Sequence, residues 1–331
     1  MQNICTLFTS TKPFIGHDAI TQRNALDNWR ALGLRCIVMG DDAGTAEAAQ
    51  KCGFQHLPEI TRTKSGTPFL NDMFEKAQAN AETHLVCYIN ADILLPPTFL
   101  TALELAARRW EKFLMVGQRW DIDVVEKMNF SKEWPEHLEA IRRKRGKLHS
   151  PWGIDYFAFP RGMVRDMPPF AIGRPCWDTW LIWTLANNGI PLLNATQGVP
   201  ALHQNHAYKH VPGGSGTDYF GPEGNENLRL AAEQAPDLDT IYASTYRSEW
   251  LFDGERIRLD KSWGRWWWYT KNMDTNWGRI AGLVLRVVLW PLAWSRVWGC
   301  VCLRQIFGPK KYSALRDTYR ALRGKQYRSV I

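Results

Sequence analysis

In the stretch 84–97, HLVCYINADILLPP, a continuous apolar run ends in amide and acidic side chains. A short apolar run rich in β-branched and aromatic residues is typical of a buried strand, and Pro96 and Pro97 prevent the strand from continuing. Polar residues that directly follow a strand lie at its carboxyl end. The stretch therefore predicts a central strand that places Asn90 and Asp92 at one edge of a sheet.

The same pattern occurs twice upstream. A strand over 4–9 ends in a polar turn at 9–13, and a strand over 35–39 ends in Gly40, Asp41 and Asp42. Helical patterns separate the strands, at 18–32 with Asp18 as the N-cap, at 45–51 and at 69–80. This alternation predicts an α/β fold with a parallel sheet covered on both faces, whose ligands bind beyond the carboxyl ends of the strands.

Downstream of residue 97 the pattern is less regular. It predicts strands at 113–117, 153–160 and 199–202 and helices at 126–147 and 177–186. A glycine-rich stretch, 212–225, predicts a mobile loop, which we interpret as a segment that closes over a ligand. Neither G-x-G-x-x-G after the first strand nor a P-loop motif occurs, which disfavours a dinucleotide oxidoreductase and a P-loop NTPase.

Charge divides the chain of 331 residues, whose formal net charge is +8, into two parts. Residues 255–331 hold 16 Lys and Arg against 4 Asp and Glu, whereas residues 1–254 hold 25 against 29. We therefore expect an acidic body, 1–254, and a basic tail, 255–331. The composition excludes disordered and collagen-like chains. Seven cysteines without a C-x-x-C pair support neither a zinc site nor a disulfide framework, and they favour a reducing compartment.

The tail is rich in tryptophan as well as basic, since 9 of the 17 tryptophans lie between Trp250 and Trp298. Its stretch 279–304 predicts a helix with arginines on one side and Leu, Val and Trp on the other, too often interrupted by charge to span a bilayer. This pattern is typical of a helix in the membrane interface. A C-terminal helix buried against the sheet is the alternative. The lack of a binding motif beside the charge disfavours nucleic acid as a partner.

In the order and kind of its motifs, the chain resembles the GT-A-fold nucleotide-sugar glycosyltransferases of the family 2-like superfamily, over roughly 3–210. The resemblance rests on the Thr-Ser turn after the first strand, on Asp41 and Asp42, and on Asn90-Ala91-Asp92 as a variant of the family's D-x-D. It rests also on the motifs at 153–157, 177–178 and 203–206. It implies a Rossmann-like, mostly parallel sheet flanked by helices, with a nucleotide half at 1–117 and an acceptor half at 118–254.

The resemblance also implies a role for each motif. The nucleotide-sugar donor would be bound by Thr9, Ser10, Asp41, Asp42, Asn90 and Asp92. The charges of Arg62 and Lys64 would neutralise the diphosphate, with solvated loop charges as the alternative. A weakly held Mn²⁺ or Mg²⁺ would be bound by Asp92 with His203 or His206, which an extended spacing places on opposite faces. Asp178 is the expected catalytic base, with a plain helix-capping role as the alternative. The acceptor would meet Asp155, Trp177 and Trp180, with Asp121 and Asp123 as further candidates.

The expected function is transfer of a sugar from a nucleoside-diphosphate donor to an acceptor hydroxyl, with inversion preferred. We expect a glycan or lipid-linked acceptor and a peripheral position on the cytoplasmic face of a membrane, reached through the tail. One alternative is a sugar-phosphate nucleotidyltransferase, which would need a glycine-rich basic loop after the first strand, where 9–16 has one glycine and one lysine. The other is a non-catalytic, membrane-associated nucleotide- or glycan-binding protein, because Asn90 replaces the first aspartate of D-x-D.

Overall fold

The computed structural model describes residues 4–205, 221–234 and 243–261, which belong to one compact unit, Met1–Arg265. Three predicted features lie outside these ranges: His206, most of the glycine-rich loop, and the tail beyond residue 261. Within the described ranges, no helix combines the length and the apolar character that a membrane span requires.

The described ranges contain thirteen strands in two sheets. They are β1 Cys5–Ser10, β2 Arg35–Met39, β3 Gln55–Leu57, β4 Leu85–Ile89, β5 Ile93–Leu94, β6 Leu114–Gln118, β7 Trp120–Ile122, β8 Lys147–Leu148, β9 Ile154–Pro160, β10 Leu192–Asn194, β11 Leu202–Gln204, β12 Trp250–Phe252 and β13 Ile257–Leu259. Nine of them form the central sheet, in the order β13-β12-β10-β6-β9-β4-β1-β2-β3. All neighbours are parallel except those of β9 and β13.

Helices cover both faces of the central sheet. They are α1 Gly16–Ala31, α2 Thr45–Cys52, α3 Leu70–Asn80, α4 Thr98–Arg109, α5 Trp134–Arg145, α6 Trp177–Asn187 and α7 Pro222–Gln234. Trp29 of α1 and Phe99 of α4 belong to the core on one face, whereas Phe74 of α3 and Trp180 of α6 belong to the core on the other. The predicted α/β fold with a mostly parallel sheet between helices is thus confirmed.

The four remaining strands form a small second sheet, in the order β5-β11-β7-β8. Its register places His203 of β11 opposite Asp121 of β7, and Asp121 opposite Lys147 of β8. Residues opposite one another on neighbouring strands have their side chains on the same face. One face of this sheet therefore carries a row of titratable side chains.

Several elements differ from the predicted ones at their ends. α1 begins at Gly16 and not after Asp18, which lies in its first turn, since Ile15 is the extended residue that precedes the helix. The helix predicted over 126–147 is confined to α5, where a proline at its start sets the beginning of the helix. The strand predicted over 199–202 is β11 at 202–204, because pairing with β7 fixes its position. The sheet also continues past residue 254, through β13.

Candidate active site

Asn90 follows β4 and forms part of a partly buried polar cluster. Its side-chain oxygen accepts a hydrogen bond from the Tyr88 hydroxyl at 2.8 Å, and its amide nitrogen donates to Asp155 Oδ1 at 2.7 Å. Asp155 stands there because β9 runs antiparallel to β4, which brings the start of β9 to the carboxyl end of β4. The donor role of Asn90 toward Asp155 requires an amide, so an aspartate could not replace it without placing two carboxylates in contact.

Arg119 joins Asp155 to a second carboxylate. One terminal nitrogen of Arg119 donates to Asp155 Oδ2 at 2.9 Å, and Nε donates to Asp121 Oδ1 at 3.0 Å. Both oxygens of Asp155 are therefore engaged, and the residue is only 6% exposed. A buried carboxylate needs such partners, because desolvation of an unpaired charge costs several kcal/mol.

His203 lies between two carboxylates at the centre of the site. Its Nδ1 is 3.2 Å from Asp121 Oδ1, and its Nε2 is 3.6 Å from Asp92 Oδ2. Burial, which leaves the residue 4% exposed, lowers the pKa of the ring, but the charges of Asp92 and Asp121 outweigh burial and raise this pKa to about 10.

His149, in the loop between β8 and β9, contacts Asp121, one of the two carboxylates beside His203. Its Nδ1 lies 2.7 Å from Asp121 Oδ2, and its carbonyl accepts from the Gln118 side chain at 3.0 Å. The ring lies against Gly153, where a Cβ would be 2.1 Å from His149 Cδ2, so only glycine fits there. Burial disfavours ionisation of Asp121, but His149, His203 and Arg119 together hold the pKa of Asp121 well below its usual range.

These residues can be compared with what the implied Mn²⁺ or Mg²⁺ requires. Asp92 and His203 present a carboxylate oxygen and an imidazole nitrogen to each other, and Asp121 faces the second ring nitrogen. A carboxylate in that position is the usual support of a metal-binding histidine. The described residues include no group of three or more His, Cys, Asp or Glu that could hold a metal. The facing oxygen of Asp92 and nitrogen of His203 fit an ion that takes two ligands from the protein and the others from phosphate and water.

Asp178 lies in the first turn of α6, where the backbone N–H of Thr179 donates to its Oδ1 at 2.8 Å. Burial, together with the charge of Asp155, raises the pKa of Asp178 to about 6 against the backbone hydrogen bonds that lower it. Asp178 also raises the pKa of the buried Tyr88, together with Asp155 and Asp92. Asp178 thus belongs to the same constellation and has the pKa of a general base that works near neutral pH.

The predicted donor residues form a second group, beyond β1 and β2. Arg62 donates to Asp41 at 3.0 Å and to Asp42 at 2.8 Å, so its charge is already shared by two carboxylates. Gly40 has φ +103°, and a Cβ there would lie 3.1 Å from the Arg62 guanidinium. Of the other predicted donor residues, Thr9 is buried, Ser10 ends β1 half-buried and Lys64 is exposed.

The two tryptophans predicted to hold the acceptor are core residues. Trp177 is 6% exposed and packs against Tyr88 and Phe157, with ring centroids 5.0 Å apart in both pairs. Trp180 is 2% exposed, packs against Phe170 and donates from Nε1 to Gln234 at 3.1 Å. A sugar ring has no open face to stack on at either position, because protein side chains cover both.

The sequence predicts Asp121 only as a further candidate for acceptor binding, and it assigns no role to Arg119 or His149. The signal was present at 119–123, where charged and apolar residues alternate as Arg119, Trp120, Asp121, Ile122 and Asp123. This alternation places Arg119 and Asp121 on one face of a strand. The pairing of β7 with β11 brings that face to His203. It joins residues 82 positions apart, such as Asp121 and His203, and has no local signature.

No protein-family model and no curated protein sequence matches the chain. Similar solved structures include glucosyl-3-phosphoglycerate synthase from Mycobacterium tuberculosis in complex with Mg²⁺ and uridine diphosphate. That structure shows 16% identity and a TM-score of 0.43, and the match covers 71% of this chain and 80% of that one. The same enzyme with Mn²⁺, uridine diphosphate and phosphoglyceric acid shows 17% identity and a TM-score of 0.43, with 70% and 78% covered.

The similar structures are therefore GT-A-type glycosyltransferases, the class that the motifs of this chain resemble. The likeness is distant in sequence and in superposition.

Proposed function

We propose that this chain is a glycosyltransferase that moves a sugar from a nucleoside diphosphate to an acceptor hydroxyl. The observation that carries the proposal is the facing pair Asp92, beyond the end of β4, and His203, in β11, which lie 3.6 Å apart with Asp121 at the other ring nitrogen of His203. A diphosphate leaving group needs its developing charge neutralised, and this pair fits a divalent ion next to it.

The donor nucleotide would lie along the carboxyl ends of β1, β2 and β4. Asp41 and Asp42, held by Arg62, would accept hydrogen bonds from the base or ribose, and the polar end of β1 at Thr9 and Ser10 would border the base. A bound Mn²⁺ or Mg²⁺ would supply Lewis-acid stabilisation of the departing diphosphate. Asp92 and His203 would hold the ion, and Asp121 would orient the histidine.

Asp178 would remove the proton of the acceptor hydroxyl. Its pKa of about 6 leaves it mostly ionised at pH 7 while keeping it far more basic than an exposed aspartate. A single displacement with one base inverts the configuration of the transferred sugar. Asp155, whose two oxygens are bonded to Asn90 and Arg119, would place a second carboxylate near Asp178.

The membrane contact proposed for the tail rests on the sequence, since most of the tail lies outside the described ranges. We infer that 262–331 carries this contact and places the enzyme on the cytoplasmic face, next to a glycan or lipid-linked acceptor. A chain that ends at residue 261 retains β13, so its failure to pellet with anionic vesicles that retain the full chain would support this part of the proposal. Equal pelleting would contradict it.

The proposal predicts that a nucleoside diphosphate raises the melting temperature of the full chain and that Mn²⁺ increases this shift. A panel of nucleoside diphosphates with Mn²⁺ or with EDTA would show it by differential scanning fluorimetry. Asp92→Ala is expected to abolish the increase due to Mn²⁺ while leaving metal-independent binding of the base in place. If no nucleoside diphosphate stabilises the wild type, the glycosyltransferase proposal is wrong.

Asp121→Asn should weaken the binding of Mn²⁺ in the presence of the nucleotide by about 10- to 100-fold, because an amide supports the His203 imidazole less well than a carboxylate does. Electron paramagnetic resonance of free Mn²⁺ during titration measures this directly. Asp123→Asn is the matched control, since Asp123 lies two residues away, is exposed and accepts from Asn205 at 2.8 Å. Equal Mn²⁺ affinities in the two variants would contradict the assignment.

A further inference from the structure

A hairpin over 61–69 carries Arg62 to the two acids that are proposed to meet the nucleoside. Arg62 and Pro68 face each other as an antiparallel pair across this hairpin. From there the guanidinium donates to Asp41 at 3.0 Å and to Asp42 at 2.8 Å. The position of the hairpin therefore determines where Arg62 lies and how it holds the two carboxylates.

Polar contacts fix this hairpin in place. No residue of 61–69, a segment that the structure describes in full, is buried, so apolar packing contributes little to its position. At its base, the backbone N–H of Thr61 donates to Asp72 at 2.7 Å. Further along, the Thr63 hydroxyl donates to Glu223 Oε1, and the Thr67 hydroxyl donates to Glu223 Oε2 at 2.9 Å. Both oxygens of Glu223 therefore hold the hairpin.

Glu223 is itself fixed by its helix and by Arg174. It lies in the first turn of α7, where Asn227, only 1% exposed, accepts from the Ala171 N–H at 2.9 Å and donates to the Ala171 carbonyl at 3.1 Å. Arg174 donates from Nε to Glu223 Oε2 at 3.0 Å, and the side chains of Arg174 and Glu223 are only 17% and 15% exposed. The carboxylate therefore gives the exposed hairpin a fixed point of attachment.

On the basis of the proposed function, we propose that Glu223 is a positioning residue of the donor site, which holds the hairpin 61–69 so that Arg62 keeps Asp41 and Asp42 in place for the nucleoside. The two acids can then accept hydrogen bonds from the base or ribose without first being ordered, and this lowers the cost of binding. Glu223 acts through the hairpin and through Arg62, so it does not need to touch the donor.

The proposal separates the two ends of the donor. The nucleoside end depends on the hairpin through Arg62, whereas the diphosphate end is assigned to an ion at Asp92 and His203. Loss of the Glu223 carboxylate should therefore weaken binding of a nucleoside diphosphate and leave binding of inorganic diphosphate unchanged. A general loss of structure would weaken both.

The test uses the full chain, Mn²⁺ and two probes, inorganic diphosphate and the nucleoside diphosphate that stabilises the wild type most. Glu223→Gln should weaken binding of the nucleoside diphosphate by about tenfold, because the amide has one oxygen for the donors that now share two. Its affinity for inorganic diphosphate should equal that of the wild type. Calorimetric titration measures both affinities.

Two further variants show whether the hairpin transmits the effect. Thr67→Val removes a hydroxyl that bonds Glu223 and leaves Arg174 paired with it, so it should cause the same selective loss. Glu226→Gln is the matched control, since Glu226 is exposed one turn further along α7 and pairs with Arg229 at 2.6 Å. It should bind both probes as the wild type does.

Combination with Arg62→Gln tests the route through the guanidinium. If Glu223 acts through Arg62, then Glu223→Gln should cause no further loss of nucleoside diphosphate affinity once Arg62 is replaced. Additive losses would overturn the inference. So would an unchanged affinity for the nucleoside diphosphate in Glu223→Gln, or an equal loss of affinity for inorganic diphosphate.

Hydrogen exchange separates these failures from failure of the proposed function. Without ligands, amide exchange over 61–69 should be at least about threefold faster in Glu223→Gln than in the wild type or Glu226→Gln. Equal exchange rates would show that Glu223 does not hold the hairpin, which overturns the inference and leaves the proposed function intact. If the wild type binds no nucleoside diphosphate, the proposed function fails, and the donor role of Glu223 fails with it even where exchange is faster.

Discussion

Asp178→Asn should lower the rate of sugar transfer by about 10²- to 10⁴-fold, the usual contribution of a general base. Its affinity for the nucleoside diphosphate and Mn²⁺ should stay unchanged, because the side chain is bonded to the backbone of its own helix and not to Asp92 or His203. Single-turnover transfer to the acceptor, measured beside equilibrium binding of the donor, separates the two effects.

The pH dependence of the wild type provides a second readout of the same residue. Burial raises the pKa of Asp178 to about 6, and only the ionised form accepts a proton. The rate should therefore rise with pH and reach half of its maximum near pH 6, and this rise should be absent in Asp178→Asn. If the rate of Asp178→Asn still rises around pH 6, the base is another group.

Asp178→Asn should stabilise the protein although it lowers the rate of sugar transfer. The pKa of Asp178 in the folded state lies above its value of 3.8 in an unfolded chain, so the folded protein binds the proton more tightly. The contribution of this group to stability is thus fully present below about pH 4 and is lost as the pH rises through 6. Asp178→Asn should raise the free energy of unfolding by about 1–3 kcal/mol at pH 7, at 1.36 kcal/mol per pKa unit, and by little at pH 4.

Asp18→Asn is the matched control for these measurements. Asp18 occupies the first turn of α1, as Asp178 does in α6, so both substitutions remove a favourable interaction with a helix N-terminus. The control should therefore be slightly less stable than the wild type at pH 7 and fully active. A gain in stability for Asp18→Asn would show that burial of Asp178 does not explain the effect.

Features that depend on local sequence could be predicted, whereas features that depend on distant pairing could not. The apolar run before Asn90 identifies β4, and the acids after β2 and β4 lie at the carboxyl edge that a parallel sheet requires. His203 could be placed near a strand end for the same reason. Each of these inferences uses residues within about one element of each other.

The second sheet could not be predicted from local sequence. Its strands have two or three residues, too few for a period of two to be recognised, and they come from four separate parts of the chain. The role of Asn90 was hidden for the same reason. Its partner Asp155 is 65 residues away, and the antiparallel insertion of β9 brings the two together. The sequence alone gives Asn90 a place in donor binding, as an uncharged variant of the first aspartate of D-x-D, and the structure shows a hydrogen-bond donor to the buried Asp155.

Asn90→Asp provides the sharpest test of that role, because it restores the first aspartate of D-x-D. If Asn90 served mainly as a weak metal ligand, the added charge would strengthen metal binding. We expect instead that the free energy of unfolding at pH 7 falls by about 2–4 kcal/mol, since the new carboxylate would face Asp155 Oδ1 across the 2.7 Å now bridged by an amide. Chemical denaturation measures this change, with the exposed Asn129→Asp as a control that should leave stability unchanged.

A double-mutant cycle tests whether the loss of stability in Asn90→Asp comes from its contact with Asp155. Asn90→Asp combined with Asp155→Asn restores one carboxylate and one amide, and the Tyr88 hydroxyl can still donate to residue 90. The double variant should therefore recover at least about 1 kcal/mol relative to the sum of the single substitutions, a coupling energy typical of residues in direct contact. The deficit of Asn90→Asp alone should also shrink as the pH is lowered, because one of two adjacent carboxyl groups then takes up a proton. Wild-type stability for Asn90→Asp, together with tighter Mn²⁺ binding, would instead make residue 90 a metal ligand.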